Sequence, residues 1–426
     1  MIATNIGRTF LKAYNRKFNK NYSAKEFFVD VYWKLFFAHD KYMQWVTNSP
    51  FVQGIKKGVA PTPEERKQKL QTLIEKIAGS GADASIAIGF PSLDINATTS
   101  GQITNLALPL NEEDVYLSWI GSGFGVGVQS GLSMLFDNPQ ILLDLFDGWQ
   151  LYRDVLNQTP QLRGNQINTW NGQWLAHRYN RMTYDPMRPM ASFNPFNTAK
   201  DGAMEVETQA WTKVLLGIAR TYSASTETAY VYSLGQTNIT VGFIPFELPK
   251  IRRPYELYEK YFGTTDCVQV ENIFGTAIGF TKACQMGAIG VNALEPRGFR
   301  DVLDKGVIPK YSDKETIIFN TYQIWLLSML SNEQLWEQAQ QIALTLSEYS
   351  KGGSGATTKR SQEVAKLLSS VSKKQFIDGL TTIVNNSQEV ESLSRIAETV
   401  HLMPTDNVPY FLTLLRFRYA VTSKIN

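Results

Sequence analysis

The chain has 426 residues, 43% of them hydrophobic and 12% aromatic, and a formal net charge of +3. That length exceeds what one core usually organises, and that apolar fraction is enough for packed interiors, so two or three domains are expected and whole-chain disorder is excluded. Two cysteines, Cys267 and Cys284, are too few for a disulfide framework, and Met1 to Arg8 lack the features of a secretory signal, so a reducing cytoplasm is the expected compartment.

The first 25 residues carry Arg8, Lys12, Arg16, Lys17, Lys20 and Lys25 with no acid. Helices are predicted from Ser23 to Trp45 and from Pro63 to Ala78, each with an apolar stripe, and strands from Ala84 to Phe90 and Gln102 to Leu108. His39-Asp40 is an HD dipeptide, but only His177 and His401 accompany it and neither has a second ligand at metal-site spacing. Val115 to Phe136 is uncharged over a membrane-spanning length, yet Gly121, Gly123, Gly125, Gly127 and Gly131 with several Ser and Gln residues make its transfer into lipid poor. The same glycines miss the Gly-x-Gly-x-x-Gly spacing, and no Gly-Lys-Ser/Thr follows. A strand over Val115 to Ile120 entering a close-packed glycine turn is expected instead.

Residues 100 to 160 are acidic, with Glu112, Glu113, Asp114, Asp137, Asp144, Asp147 and Asp154 against Arg153, and contain a predicted helix from Pro139 to Leu156. Then comes Arg163-Gly-Asn-Gln-Ile-Asn-Thr-Trp-Asn-Gly-Gln-Trp-Leu-Ala-His-Arg178, followed by Arg181. Amides can donate to and accept from base edges, arginines can neutralise phosphates and aromatic rings can stack on bases. The alternative is a surface loop whose Trp170 and Trp174 pack into the core from a short helix. A helix over Glu205 to Tyr222, a hairpin of Thr228 to Leu234 and Ile239 to Ile244 around Gly235-Gln-Thr-Asn238, and a strand over Val268 to Phe274 complete the middle.

From residue 312 the pattern is all helical. Ile317 to Leu330 is apolar on most sides and reads as a buried central helix. Ser331 with Gln334 starts a stripe of Leu335, Ala339, Ile342, Leu346 and Tyr349, and Ser372 with Gln375 starts another through Phe376, Leu380 and Ile383. Leu393, Ile396, Ala397 and Val400 form a third before Pro404, and Asp406 opens the last helix through Phe411, Leu414 and Leu415. A basic, glycine-rich stretch, Lys351 to Arg360, interrupts them and reads as a flexible connection or a DNA clamp. The expected class is α+β, with a mixed body over residues 1–311 and a helical bundle over 312–426.

The ending resembles the C-terminal helical part of the large subunits of Cascade, the type I CRISPR surveillance complex, with the I-B-like branch nearest. The resemblance rests on Thr358-Lys-Arg-Ser-Gln-Glu-Val-Ala-Lys-Leu-Leu368, Ser372-Lys-Lys-Gln-Phe-Ile377 and Leu402-Met-Pro-Thr-Asp-Asn-Val-Pro-Tyr-Phe-Leu-Thr-Leu-Leu-Arg-Phe-Arg-Tyr419. It implies a non-catalytic protein without a cofactor that docks near the 5′ end of a guide RNA, contacts the short motif flanking a double-stranded DNA target and helps to open the duplex beside other Cascade subunits. Base pairing would supply most of the sequence specificity. A separate helicase-nuclease, or a transposition protein, would act downstream.

No family motif assigns individual residues, so the candidates rest on residue type. Asn165, Gln166, Asn168, Asn171 and Gln173 would read flanking base pairs, with Arg178 and Arg181 on nearby phosphates. Lys359, Arg360, Lys373 and Lys374 would hold a DNA backbone, and Lys12, Arg16 and Lys17 the guide RNA or an adjoining subunit. Two other readings stay open: a structural protein of another nucleoprotein assembly, and an enzyme with a small-ligand site at the glycine-rich turn.

Overall fold

In the computed structural model the described residues are 1–47, 49–55, 59–79, 86–88, 111–234, 240–351, 357–385 and 390–425. The first elements are α1 (Ile2–Phe18), α2 (Ala24–Phe27), a π-helical turn (Phe28–Tyr32), α3 (Trp33–Phe36), α4 (Pro63–Gly79) and α5 (Glu112–Ser122). They are followed by β1 (Val126–Val128), β2 (Leu132–Phe136), α6 (Pro139–Gln158), α7 (Ile167–Arg178), β3 (Phe196–Thr198), β4 (Met204–Val206), α8 (Trp211–Thr221), β5 (Glu227–Ser233) and β6 (Thr240–Phe246). The rest is helical: α9 (Leu248–Phe262), α10 (Cys267–Glu271), α11 (Phe280–Cys284), α12 (Phe299–Lys305), α13 (Thr316–Leu330), α14 (Gln334–Lys351), α15 (Thr357–Leu368), α16 (Lys373–Val384), α17 (Val390–Leu402) and α18 (Val408–Ile425). The class is α+β with a helix-rich C-terminal region, as expected.

Two compact units divide the chain: residues 1–248 with 280–288, and residues 249–279 with 289–426. Residue 311, expected as the end of the body, therefore lies inside the second unit.

The first unit is built on an antiparallel sheet of order β1-β2-β5-β6. Every residue of β2 is buried, because both its faces are covered, and Ser133 pairs with Gly127 on one side and Tyr232 on the other. Helix α7 lies directly on β1: a side chain on Gly172 would overlap the Gly127 carbonyl oxygen, so only glycine permits this approach. Helices α1 and α5 are as close and antiparallel, Gly7 lying on the Leu117 carbonyl and Gly121 on that of Ala3.

Several local expectations are corrected. Val115 to Ile120 belongs to helix α5, whose N-terminus is capped by the Asn111 side chain accepting from the Asp114 N–H at 2.8 Å, with Glu112, Glu113 and Asp114 in the first turn. Burial on all sides removed the helical periodicity there, leaving the cap as the better cue. The helix expected to run to Trp45 stops at Phe36, after a π-turn that lets Phe28, Tyr32 and Phe36 stack in succession at 5.4 and 4.1 Å. Residues 204–206 are a strand paired with β3, so the helix expected from Glu205 starts at Trp211. Val268 to Phe274 is not a strand but largely α10. The predicted hairpin is present as β5 and β6, its loop at 235–239 lying outside the described residues, as do the strand predicted over 102–108 and most of that over 84–90.

In the second unit, α13 is buried at nearly every position from Thr321 to Ser328 and donates from the Trp325 indole to the Val291 carbonyl at 3.0 Å. The predicted stripes of α14, α16, α17 and α18 face the interior. Ser331 does not cap α14: it ends α13 in the left-handed region, φ 52°, and the Asn332 side chain accepts from the Gln334 N–H instead. Ser372 does cap α16, accepting from the Gln375 N–H at 3.3 Å. Lys351 closes α14 and Thr357 opens α15; residues 352–356 lie outside the described residues. No helix among the described residues is long and apolar enough to cross a membrane.

Candidate functional site

The amide-rich segment folds as α7, and most of its polar side chains bind the protein itself. Asn171 is fully buried and donates to the Gly123 and Gly125 carbonyls at 2.8 and 2.9 Å, which ties α7 to the chain entering β1. Gln173 is buried, donating to the Glu207 carbonyl and accepting from Gln209. Both are thereby withdrawn from the role of reading base edges. Arg178 is also engaged, in ion pairs with Asp144 at 2.7 Å and Asp147 at 3.1 Å and against the faces of Trp174 and Tyr184. Arg181 is exposed but donates to the Arg220 carbonyl at 2.6 Å. Trp170 and Trp174 are core residues, as the packing alternative had it, donating to the carbonyls of Gly148 and Asp144.

The first turn of α7 has a different environment. Asn165, Gln166 and Asn168 line a cavity of about 530 Å³ with Trp45, Tyr230 and Tyr232. Asn165 is exposed and held in the left-handed region, φ 59°, where asparagine is better tolerated than most residues. Its N–H donates to the Tyr42 carbonyl at 2.7 Å, and that of Ile167 to the Met43 carbonyl at 3.2 Å, so the segment carrying Trp45 is fastened to the helix start. Gln166 accepts from the Val206 N–H through its side-chain oxygen, and Asn168 donates to Ser133 Oγ and the Tyr232 hydroxyl at 3.4 and 3.3 Å. Among the described residues, the main-chain N–H groups of Asn168 and Thr169 have no acceptor, as the geometry of a helix start dictates.

Sequence reasoning passed over the three aromatic residues of this cavity. Tyr230 and Tyr232 share one face of β5 by the two-residue repeat of a strand, their rings 6.0 Å apart and 25° from parallel. Trp45 is 47% exposed, which is unusual for an indole. The alternation Tyr-Val-Tyr in an otherwise half-buried strand was the available signal.

The basic candidates divide in the same way. On α1, Lys12 and Arg16 are exposed, four residues apart, and make no ion pair among the described residues, whereas Lys17 pairs with Asp147 at 3.5 Å. In the helical unit Lys359 is exposed and 4.0 Å from Glu363, and Arg360 lies over the Tyr349 ring at 5.1 Å. Lys374 is exposed, as is Lys366 one helix earlier. Lys373 is instead structural, since its ammonium donates to the His401 and Met403 carbonyls at 2.8 and 2.7 Å and closes the end of α17.

The glycine-rich turn offers little room for a small ligand. Gly121 is covered by α1, Gly123 by the Trp149 and Phe36 rings, and Gly125 and Gly127 by Asn168. His177 stacks on Phe193 at 4.4 Å and meets the Pro189 carbonyl, and burial holds its pKa below the usual imidazole value. Asp40 of the HD dipeptide pairs with Arg66. Cys267 and Cys284 are buried, and burial pushes the Cys284 thiol up to about 11, away from nucleophilic use. No group of three potential metal ligands occurs among the described residues. The chain matches no protein-family model, no curated protein and no solved structure.

Proposed function

We propose that the chain is a non-catalytic, nucleic-acid-holding subunit, and that the assembly it serves is an RNA-guided DNA-targeting complex of the Cascade type. The observation that carries the reading is which cations the fold leaves available. Arg178, Arg181 and Lys373 are engaged with the protein, while Lys12 and Arg16 on α1 and Lys366 and Lys374 on α15 and α16 are exposed and make no ion pair among the described residues. Exposed, uncompensated cations on helix surfaces are what a phosphate backbone recruits. In this reading α1 faces the guide RNA or an adjoining subunit, the helical unit holds the double-stranded target once opened, and contact with the flanking motif falls to Asn165, Gln166 and Asn168. The complex is cytoplasmic, and a helicase-nuclease or a transposition protein acts after it.

The test is co-purification with the products of neighbouring genes. A guide RNA of uniform length retained with the chain supports the Cascade reading. Heterogeneous RNA or DNA without guide-processing partners supports the other nucleoprotein reading, and the absence of nucleic acid from a stable complex refutes both.

A further inference from the structure

We propose that the cavity at the start of α7 seats one unstacked nucleobase, with the Trp45 indole as a stacking wall. The inference rests on the nucleic-acid reading only in taking a strand as the source of the base; a free nucleotide would present the same chemistry.

Three properties of the cavity converge on a neutral heteroaromatic ring. None of its described lining residues carries a charge, so neither a metal ion nor an isolated phosphate finds a counter-charge there. Its aromatic faces are Trp45, Tyr230 and Tyr232, and every base offers a flat face to such rings. Some of its polar groups, donors and acceptors both, are open among the described residues: the whole Asn165 amide, the Gln166 side-chain N–H₂, the Asn168 side-chain oxygen and the Thr169 hydroxyl. A purely apolar ligand would strip water from these groups without replacing it, whereas a base edge supplies donors and acceptors together.

Size and rigidity agree with this assignment. A volume of about 530 Å³ lies within the span of roughly 300–1,000 Å³ usual for small-ligand pockets. The walls are fixed by elements already bonded together: Asn165 and Ile167 to Tyr42 and Met43, Asn168 to Tyr232 and Ser133. The unpaired N–H groups of Asn168 and Thr169 open at the positive end of a 12-residue helix, where the sugar-phosphate attached to a seated base would gain favourable potential.

The experiment uses the full-length chain, short labelled single strands, the same strands with abasic residues, and free adenosine and cytidine as competitors. Expected is a loss of about tenfold in wild-type affinity when the bases are removed, the order of one base stack, and a similar loss for Trp45→Ala on the normal strand with no further loss on the abasic one. Tyr230→Leu should behave likewise. Competition by free nucleosides would support the seat and assign it to free nucleotides; strand binding without such competition would support it and assign it to a strand. If wild type binds normal and abasic strands equally, the pocket is refuted while the nucleic-acid reading stands. If wild type binds neither strands nor nucleosides, both are refuted, and this arm needs no variant to fold.

Discussion

Gly7 and Gly121 meet where α1 crosses α5: a side chain on Gly121 would press on the Gly7 amide nitrogen at 2.8 Å and overlap the Ala3 carbonyl. The two helices touch through main-chain atoms, so there is no flexible side chain to yield. Gly121→Ala and Gly7→Ala are each expected to cost about 2–3 kcal/mol, measured as a lower midpoint of urea unfolding at unchanged slope. Gly131, whose surroundings are open, should cost about 1 kcal/mol on the same change, and that only through its φ of +68°.

Asn171 and Asn165 should separate cleanly. Replacing Asn171 by Ala removes two buried hydrogen bonds to glycine carbonyls and strands those acceptors, for a loss of about 2–3 kcal/mol in thermal or chemical unfolding. Asn165→Ala should cost no more than about 1 kcal/mol, and that only through its φ of 59°, because its side chain is exposed and only its main chain is engaged.

Lys373 and Lys374 are neighbours with opposite expected behaviour. Lys373→Ala should lower stability by about 1 kcal/mol by opening the end of α17. Lys366→Ala and Lys374→Ala should leave the melting temperature in place. They should weaken DNA binding in the assembled complex for all sequences and flatten its salt dependence by about one unit for each phosphate no longer neutralised. An unchanged salt slope would remove the helical unit from the DNA path.

Alkaline pH should weaken the fold through Tyr179 and Tyr222. Both phenols are pushed above their usual value of about 10, first by burial and then by the Asp144 carboxylate they donate to at 2.8 and 3.3 Å. A folded-state pKa above the unfolded one stabilises fully below about pH 10, and that stability is lost as pH rises further, since the unfolded chain releases the proton first. The unfolding midpoint should hold between pH 7 and 9 and fall beyond 10, and Tyr179→Phe should make the fall shallower.

The C-terminal helices were legible because each repeats its apolar residues along one stripe, and Leu335 through Tyr349 are buried as that spacing requires. Helix α5 was not, because Val115 to Ser122 is buried on every side and shows no period. The candidate site was half legible. Residue type picked out Asn165, Gln166 and Asn168, but gave no means of separating them from Asn171, whose acceptors lie 46 and 48 positions away at Gly125 and Gly123. Trp45 joins them only because the chain turns back at Phe37 and fastens through Tyr42 and Met43, a long-range pairing with no local signature.

The chain passes between its two units after Leu248, again after Gly279 and again after Ala288. No single cut can therefore release either unit whole. A fragment beginning at residue 312 lacks Val291, the acceptor for the buried Trp325 indole, and one ending at Leu248 lacks Phe280, whose ring stacks on Trp211 at 5.4 Å. Recombination that exchanges the helical ending between relatives must carry α9, α10 and α12 with it and leave α11 behind, or one of the two interiors is left with a missing piece.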